Sequence, residues 1–197
     1  MLRRIFGWIA VITICTALVV ANVFAAEKGS DTSTGIPPQT VANYLRAVIL
    51  AHRHFYTIDI VNRLRLEHIV DVSENWRAKH ALPLPVQFLR ETSEMAELTS
   101  PDVRYRLISQ WPISKANAPA TEFERQGLKQ VQDNPNRPYY GFFENGTERS
   151  FGAVYADKAV TTSCIECHNA HPHSPKSDFK LDDVIGGLVI TFPLNTK

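Results

Sequence analysis

Cys164-Ile165-Glu166-Cys167-His168 sets two thiols three residues apart, with an imidazole directly after the second. This C-x-x-C-H order is the attachment pattern of a c-type haem. The thiols add across the haem vinyl groups as thioethers, and the adjoining histidine takes one axial position on the iron. Two other chemistries use the same residue types. A Cys₂His₂ zinc site would draw its nitrogens from His168, His171 and His173, crowding all its ligands into residues 164–173 with Pro172 stiffening the far end. A thioredoxin-like redox pair would need a βαβ pattern leading into Cys164, and none precedes it. The expected cofactor is therefore one covalent haem c, held by Cys164 and Cys167 with His168 as proximal ligand.

The opposite face of such an iron needs a residue supplied by the fold, since His171 and His173 follow too closely on the same side. His52 and His54 lie in an apolar-periodic stretch. Two positions apart, they point roughly 200° apart on a helix, so only one can face the haem. His52 runs in line with Leu45, Val48, Phe55 and Tyr56, the bulkier apolar face, and is the expected sixth ligand. His54, flanked by Leu50, Ala51 and Ile58, is the runner-up. Met95 would raise the potential relative to two imidazoles, and an open iron is the remaining choice. Arg104, Arg106 and Lys176 are candidates for the haem propionates, each against the reading of an ordinary solvated charge. Trp76, Trp111, Tyr139, Tyr140 and Phe142 are expected to line the core or the pocket.

These residues need a scaffold, and the chain offers one. From Gln39 to about Arg65 there is no Gly or Pro. Val41, Leu45, Val48, His52 and Phe55 form one helical stripe and Ala47, Ala51, His54, Ile58 and Val61 another, which predicts one long helix. Leu82-Pro83-Leu84-Pro85 breaks the chain before a shorter helix over Val86–Leu98. Val103–Ser109 alternates as a strand, with Val103, Tyr105 and Leu107 opposite Arg104, Arg106 and Ile108. Thr121 and Glu124 make a capping box for a helix ending near Gln132. Tyr139–Phe143 and Ser150–Tyr155 read as strands joined around Asn145-Gly146, and Val184–Pro193 as a last strand entered through Gly186-Gly187. The order predicts an α+β domain with a small antiparallel sheet.

The 197 residues, 44% of them hydrophobic, suit a single domain with its own core. A formal net charge of +1 gives no reason to expect a nucleic-acid partner. Cys15 is the third and last cysteine, so no thiols are left for a disulfide framework. Residues 1–26 read as a targeting element: Arg3 and Arg4 precede an apolar run from Ile5 to about Ala26. That run serves either as a cleaved signal with Val23-Phe24-Ala25 at the cleavage site or as a retained membrane anchor. Residues 27–36 are small and polar, a linker, leaving 37–197 as the haem domain. Both readings of the leader place that domain in the periplasm, with membrane contact only through the N-terminal segment.

The sequence resembles the PAS-like monohaem c-type domains of bacterial periplasmic cytochromes and of the extracytoplasmic part of some sensor proteins. The resemblance is carried by Arg106-Leu107-Ile108-Ser109, Lys115-Ala116-Asn117-Ala118-Pro119, Phe123-Glu124 and the Cys164–Asn169 motif. It continues through His171–Lys176, Asp178-Phe179-Lys180 and Asp183–Leu188, and spans about residues 40 to 193. It implies a PAS-like fold, one covalent haem and a periplasmic redox or sensing role, and His52 falls near the helix ligand of relatives. Sensor members continue into a second membrane span and a signalling module, whereas this chain stops four residues after Pro193 (197 − 193). It is expected not to signal through an output domain of its own. Some relatives ligate the iron with a cysteine of the upstream helix, and here none lies between residues 16 and 163.

The functional expectation is single-electron transfer or redox sensing with a redox partner protein or a membrane signalling protein. The alternative is a gas-sensing haem module that moves its long helix against a membrane partner. An enzyme such as a peroxidase would need a distal acid/base pair, for which there is no motif, so no enzymatic activity is expected.

Overall fold

The computed structural model describes residues 35–145 and 148–194. The leader and most of the linker lie outside these residues, as do Gly146 and Thr147 of the expected hairpin turn. No helix among the described residues is long and apolar enough to cross a membrane.

Helix α1 spans Pro38–Phe55 and continues without a break through a π-helical run, Tyr56–Asn62, into α2, Arg63–Leu66. A proline opens α1, where its missing N–H costs nothing. The run ends in a Schellman turn: His68 takes the left-handed conformation (φ 53°), His68 N–H donates to the Arg65 carbonyl, and Ile69 N–H donates to that of Leu64. Short α3 (Trp76–Lys79) and longer α4 (Pro85–Thr99) follow. The loop between α2 and α4 is tied by a bridge between Val72 and Leu82.

Strand β1 (Arg104–Ile108), a 3₁₀ turn (Lys115–Asn117) and α5 (Glu122–Asp133) come next. The capping box of α5 forms as expected: Glu124 N–H donates to the Thr121 hydroxyl at 3.1 Å, and the Glu124 carboxylate accepts from the amides of Ala120 and Thr121. Strands β2 (Tyr139–Asn145) and β3 (Glu148–Lys158), helix α6 (Thr162–Ala170) and β4 (Val184–Pro193) complete the chain. The four strands form one antiparallel sheet in the order β1-β4-β3-β2. This is the expected α+β class with a small antiparallel sheet, compatible with a PAS-like fold.

Side-chain alternation sorts the core into layers. Phe151, Ala153 and Tyr155 of β3 and Leu188 and Ile190 of β4 pack against Ala42, Ile49 and Leu89 of α1 and α4. Val154, Val189 and Ile108 point the other way, onto Leu128 and Val131 of α5. Tyr105 and Leu107 fall in the first layer and Ile108 in the second, as the alternation along β1 predicts.

The long helix differs from expectation in two ways. Its buried positions are Ala42, Ile49, Arg53, Tyr56, Thr57 and Val61, while Val48, Phe55 and Ile58 of the two predicted stripes are exposed. A search for apolar periodicity passes over the buried line because a charged residue, Arg53, sits on it. The π-helical run then adds a residue to the turn, so an i, i+3, i+4 count drifts off the buried face.

Candidate functional site

Helix α6 carries the C-x-x-C-H motif. Cys164, Cys167 and His168 stand at positions i, i+3 and i+4, which on an α-helix share one side. Both cysteines are free thiols. The Thr161 hydroxyl lies 3.3 Å from Cys164 Sγ. Cys167 is open to solvent over part of its surface, yet its surroundings push its thiol pKa up, burial first and the charges of Glu74 and Cys164 next.

Three segments hold α6 in place. Cys164 and Ile165 rest on a small cluster of Ala159, Phe179, Ile185 and Trp111. The far end of the long helical run grips the outer side: Ser163 donates to Asn62 Oδ1 at 2.7 Å, and Arg65 donates to Ser163 Oγ at 3.1 Å and to Glu166 Oε2 at 2.9 Å. The tied loop delivers Glu74 to within 3.2 Å of His171 Nε2.

His168 is half-buried, its ring edge-on to Phe179 at 5.8 Å between centroids. Its Nδ1 is buried without a hydrogen-bond partner. Burial lowers its pKa, an effect opposed by Asp157 and reinforced by Arg53 and His171. The ring is thereby held toward the neutral form, the form that ligates metals.

The remaining sequence candidates are spread across the fold. His52 is exposed and lines a 340 Å³ groove between α1 and α4 with Leu45, Val48, Phe88 and Ala96. His54, half-buried, lies on the other side of Arg53, its pKa lowered first by burial and then by Arg53, with Asp157 opposing. The groove puts His52 on the α4 side. Met95 is exposed on α4. Arg104 pairs with Thr191, six residues along β4 from Ile185 (191 − 185), so it stands about 20 Å from the cluster beneath the motif. Arg106 donates to the Ala118 carbonyl at 2.6 Å and pairs with Glu124 at 3.1 Å, securing the start of α5. Lys176 pairs with Asp178 and sits over the rings of Trp111 and Phe179 at 5.5 and 5.0 Å, on the cluster that supports α6. Of the three basic candidates it alone lies beside the motif.

A family model described as Tll0287-like matches residues 36–193. The chain belongs to the Tll0287-like family. A crystal structure of the cyanobacterial haem protein Tll0287 superposes with a TM-score of 0.51 at 14% sequence identity, covering 82% of this chain and 99% of that one. At that identity the likeness is one of fold. No curated protein matches the chain.

The residues around α6 fit the haem that the motif calls for. Two free thiols and an adjoining half-buried imidazole are the donor set such a group uses. Ile58, Leu66 and Ile69, on and just past the helical run that grips α6, are exposed apolar residues. Among the described residues no three His, Cys, Asp or Glu side chains converge as a metal cluster, so Cys164 and Cys167 are not gathered with nitrogens of His168, His171 or His173.

The partners of Asn169, Arg53 and Asp157 are not legible in the sequence. Asn169 follows the motif, and a lone asparagine gives no signal of its partner ten residues on. Arg53 and Asp157 are 104 residues apart, and no local pattern links them.

Proposed function

We propose that this protein is a periplasmic monohaem c-type protein that passes single electrons or reports redox state to a partner protein. The observation that carries the reading is the motif geometry: two free thiols and a half-buried imidazole on one side of a single helix, in a chain of the Tll0287-like family. Covalent haem would supply one-electron chemistry between ferric and ferrous iron. Cys164 and Cys167 would tether it, and His168 would ligate the iron in its neutral form. The Trp111–Phe179 cluster and the Asn62 and Arg65 contacts keep α6 from moving when the charge changes.

For the second axial position, the groove that holds His52 on the α4 side puts His54 ahead of it. The experiment is to compare His54→Ala and His52→Ala for low-spin character and for carbon monoxide binding by the ferrous form. Loss of six-coordination in the His54 variant alone supports this assignment. Loss in the His52 variant alone restores the expectation from sequence. A wild-type protein that already binds carbon monoxide supports the gas-sensing alternative, with an open site.

A further inference from the structure

Arg53 and Asp157 are each 6% exposed, and the guanidinium donates to both carboxylate oxygens, Nη2 to Oδ2 at 3.1 Å. A buried ion pair is weak support for a fold, because desolvation consumes most of the attraction and apolar residues of similar volume would serve as well. Its location gives it another use. Asp157 continues the β3 face of Phe151, Ala153 and Tyr155, at the point where the β3–β4 register shifts between Asp157 and Lys158. A bulge of this kind re-aims side chains. Two residues later Ala159 packs with Phe179, the ring that meets His168 edge-on.

The polar atoms left over point the same way. Arg53 Nε and His168 Nδ1 are both buried without partners. Ala159 also packs with Cys164 and Ile165 of the motif helix, so Asp157, two residues before it in the chain, is the member of the pair next to the floor of the site. In such low-dielectric surroundings a fixed charge reaches much further than in water.

We propose that the Arg53–Asp157 ion pair sets the reduction potential of the haem held by His168, a role that rests on the haem reading above. Reduction adds one negative charge to the iron. A carboxylate nearby opposes that charge and lowers the potential, and a guanidinium raises it. The two are positioning residues acting through His168 and the field at the iron. They need not touch the haem.

The test uses the full chain, matured with covalent haem, and compares wild type with Asp157→Asn, Arg53→Gln and the double variant in potentiometric titrations followed by the haem absorption. Haem retention after denaturation and far-ultraviolet circular dichroism are recorded for each. The expected result is a potential that rises in Asp157→Asn, falls in Arg53→Gln and lies between them in the double variant. Shifts of the same sign, or none, overturn the proposal. Where a single variant does not fold, the exchanged pair, Arg53→Asp with Asp157→Arg, keeps the bridge and swaps the charges. It is expected to raise the potential, and an unmoved value overturns the proposal. A wild-type chain that retains no haem refutes the haem reading itself, which unmoved potentials in haem-loaded variants would leave standing.

Discussion

Asn169, the residue after the motif histidine, closes both backbone hydrogen-bonding groups of Phe179: Nδ2 donates to the Phe179 carbonyl and Oδ1 accepts from its amide, each at 2.9 Å. One side chain thus fixes α6 to the segment whose ring stands against His168. The same clamp holds Phe179 under Lys176 and beside Trp111.

Asn169→Ala removes two partly buried hydrogen bonds at about 1 kcal/mol each, so unfolding in urea is expected to lose about 2 kcal/mol. Because the clamp sets where His168 sits, the variant is also expected to broaden the axial-ligand signals in electron paramagnetic resonance. A full-stability variant with unaltered signals would show that Asn169 does not position α6.

His68 holds a left-handed backbone at the end of the helical run, a conformation that disfavours residues with a Cβ by about 1 kcal/mol. His68→Gly is expected to raise stability by about that amount without altering the haem spectrum. Denaturant midpoints measure the first effect and absorption the second. A loss of stability would mean that the imidazole makes a contribution larger than the backbone strain.

Tyr56 donates its hydroxyl to the Pro83 carbonyl at 2.7 Å and stacks on Phe88 at 4.1 Å between centroids. Burial raises its pKa from 10.0 to about 12. The Tyr155 phenol is raised too, by burial first and then by Tyr140, with Arg46 opposing. In both, the folded state keeps a proton that the unfolded chain gives up near pH 10. The stability contributed is whole below that pH and is lost as pH climbs through the folded values. Thermal unfolding between pH 8 and pH 12 is expected to show a melting temperature falling above about pH 10. In Tyr56→Phe the fall should be shallower, and an equal slope would remove Tyr56 from the account.

Much of this architecture could be read from local signals. The Thr121–Glu124 box, the span of β4 and the alternation along β1 each depend on a few neighbouring residues, and each stands where the pattern put it. The motif cysteines and His168 are contiguous, so their placement on one side of one helix follows from local sequence alone. What escaped depends on distance along the chain. The buried face of the long helix runs through Arg53, whose burial makes sense only beside Asp157 on β3, and the π-helical run then displaces the apolar count. The choice between His52 and His54 also depends on how the helix packs, since His52 lines a groove toward α4 and His54 is half-buried on the other side of Arg53.

The central claim is covalent haem on α6, and the most direct measurement is the absorption spectrum of the full chain after export with haem-maturation machinery, taken before and after denaturation and acidified-acetone extraction. The account predicts a Soret band that stays with the polypeptide and is lost from it only when both Cys164 and Cys167 are replaced by serine. A polypeptide left colourless by extraction, with its thiols still free to react, would contradict it.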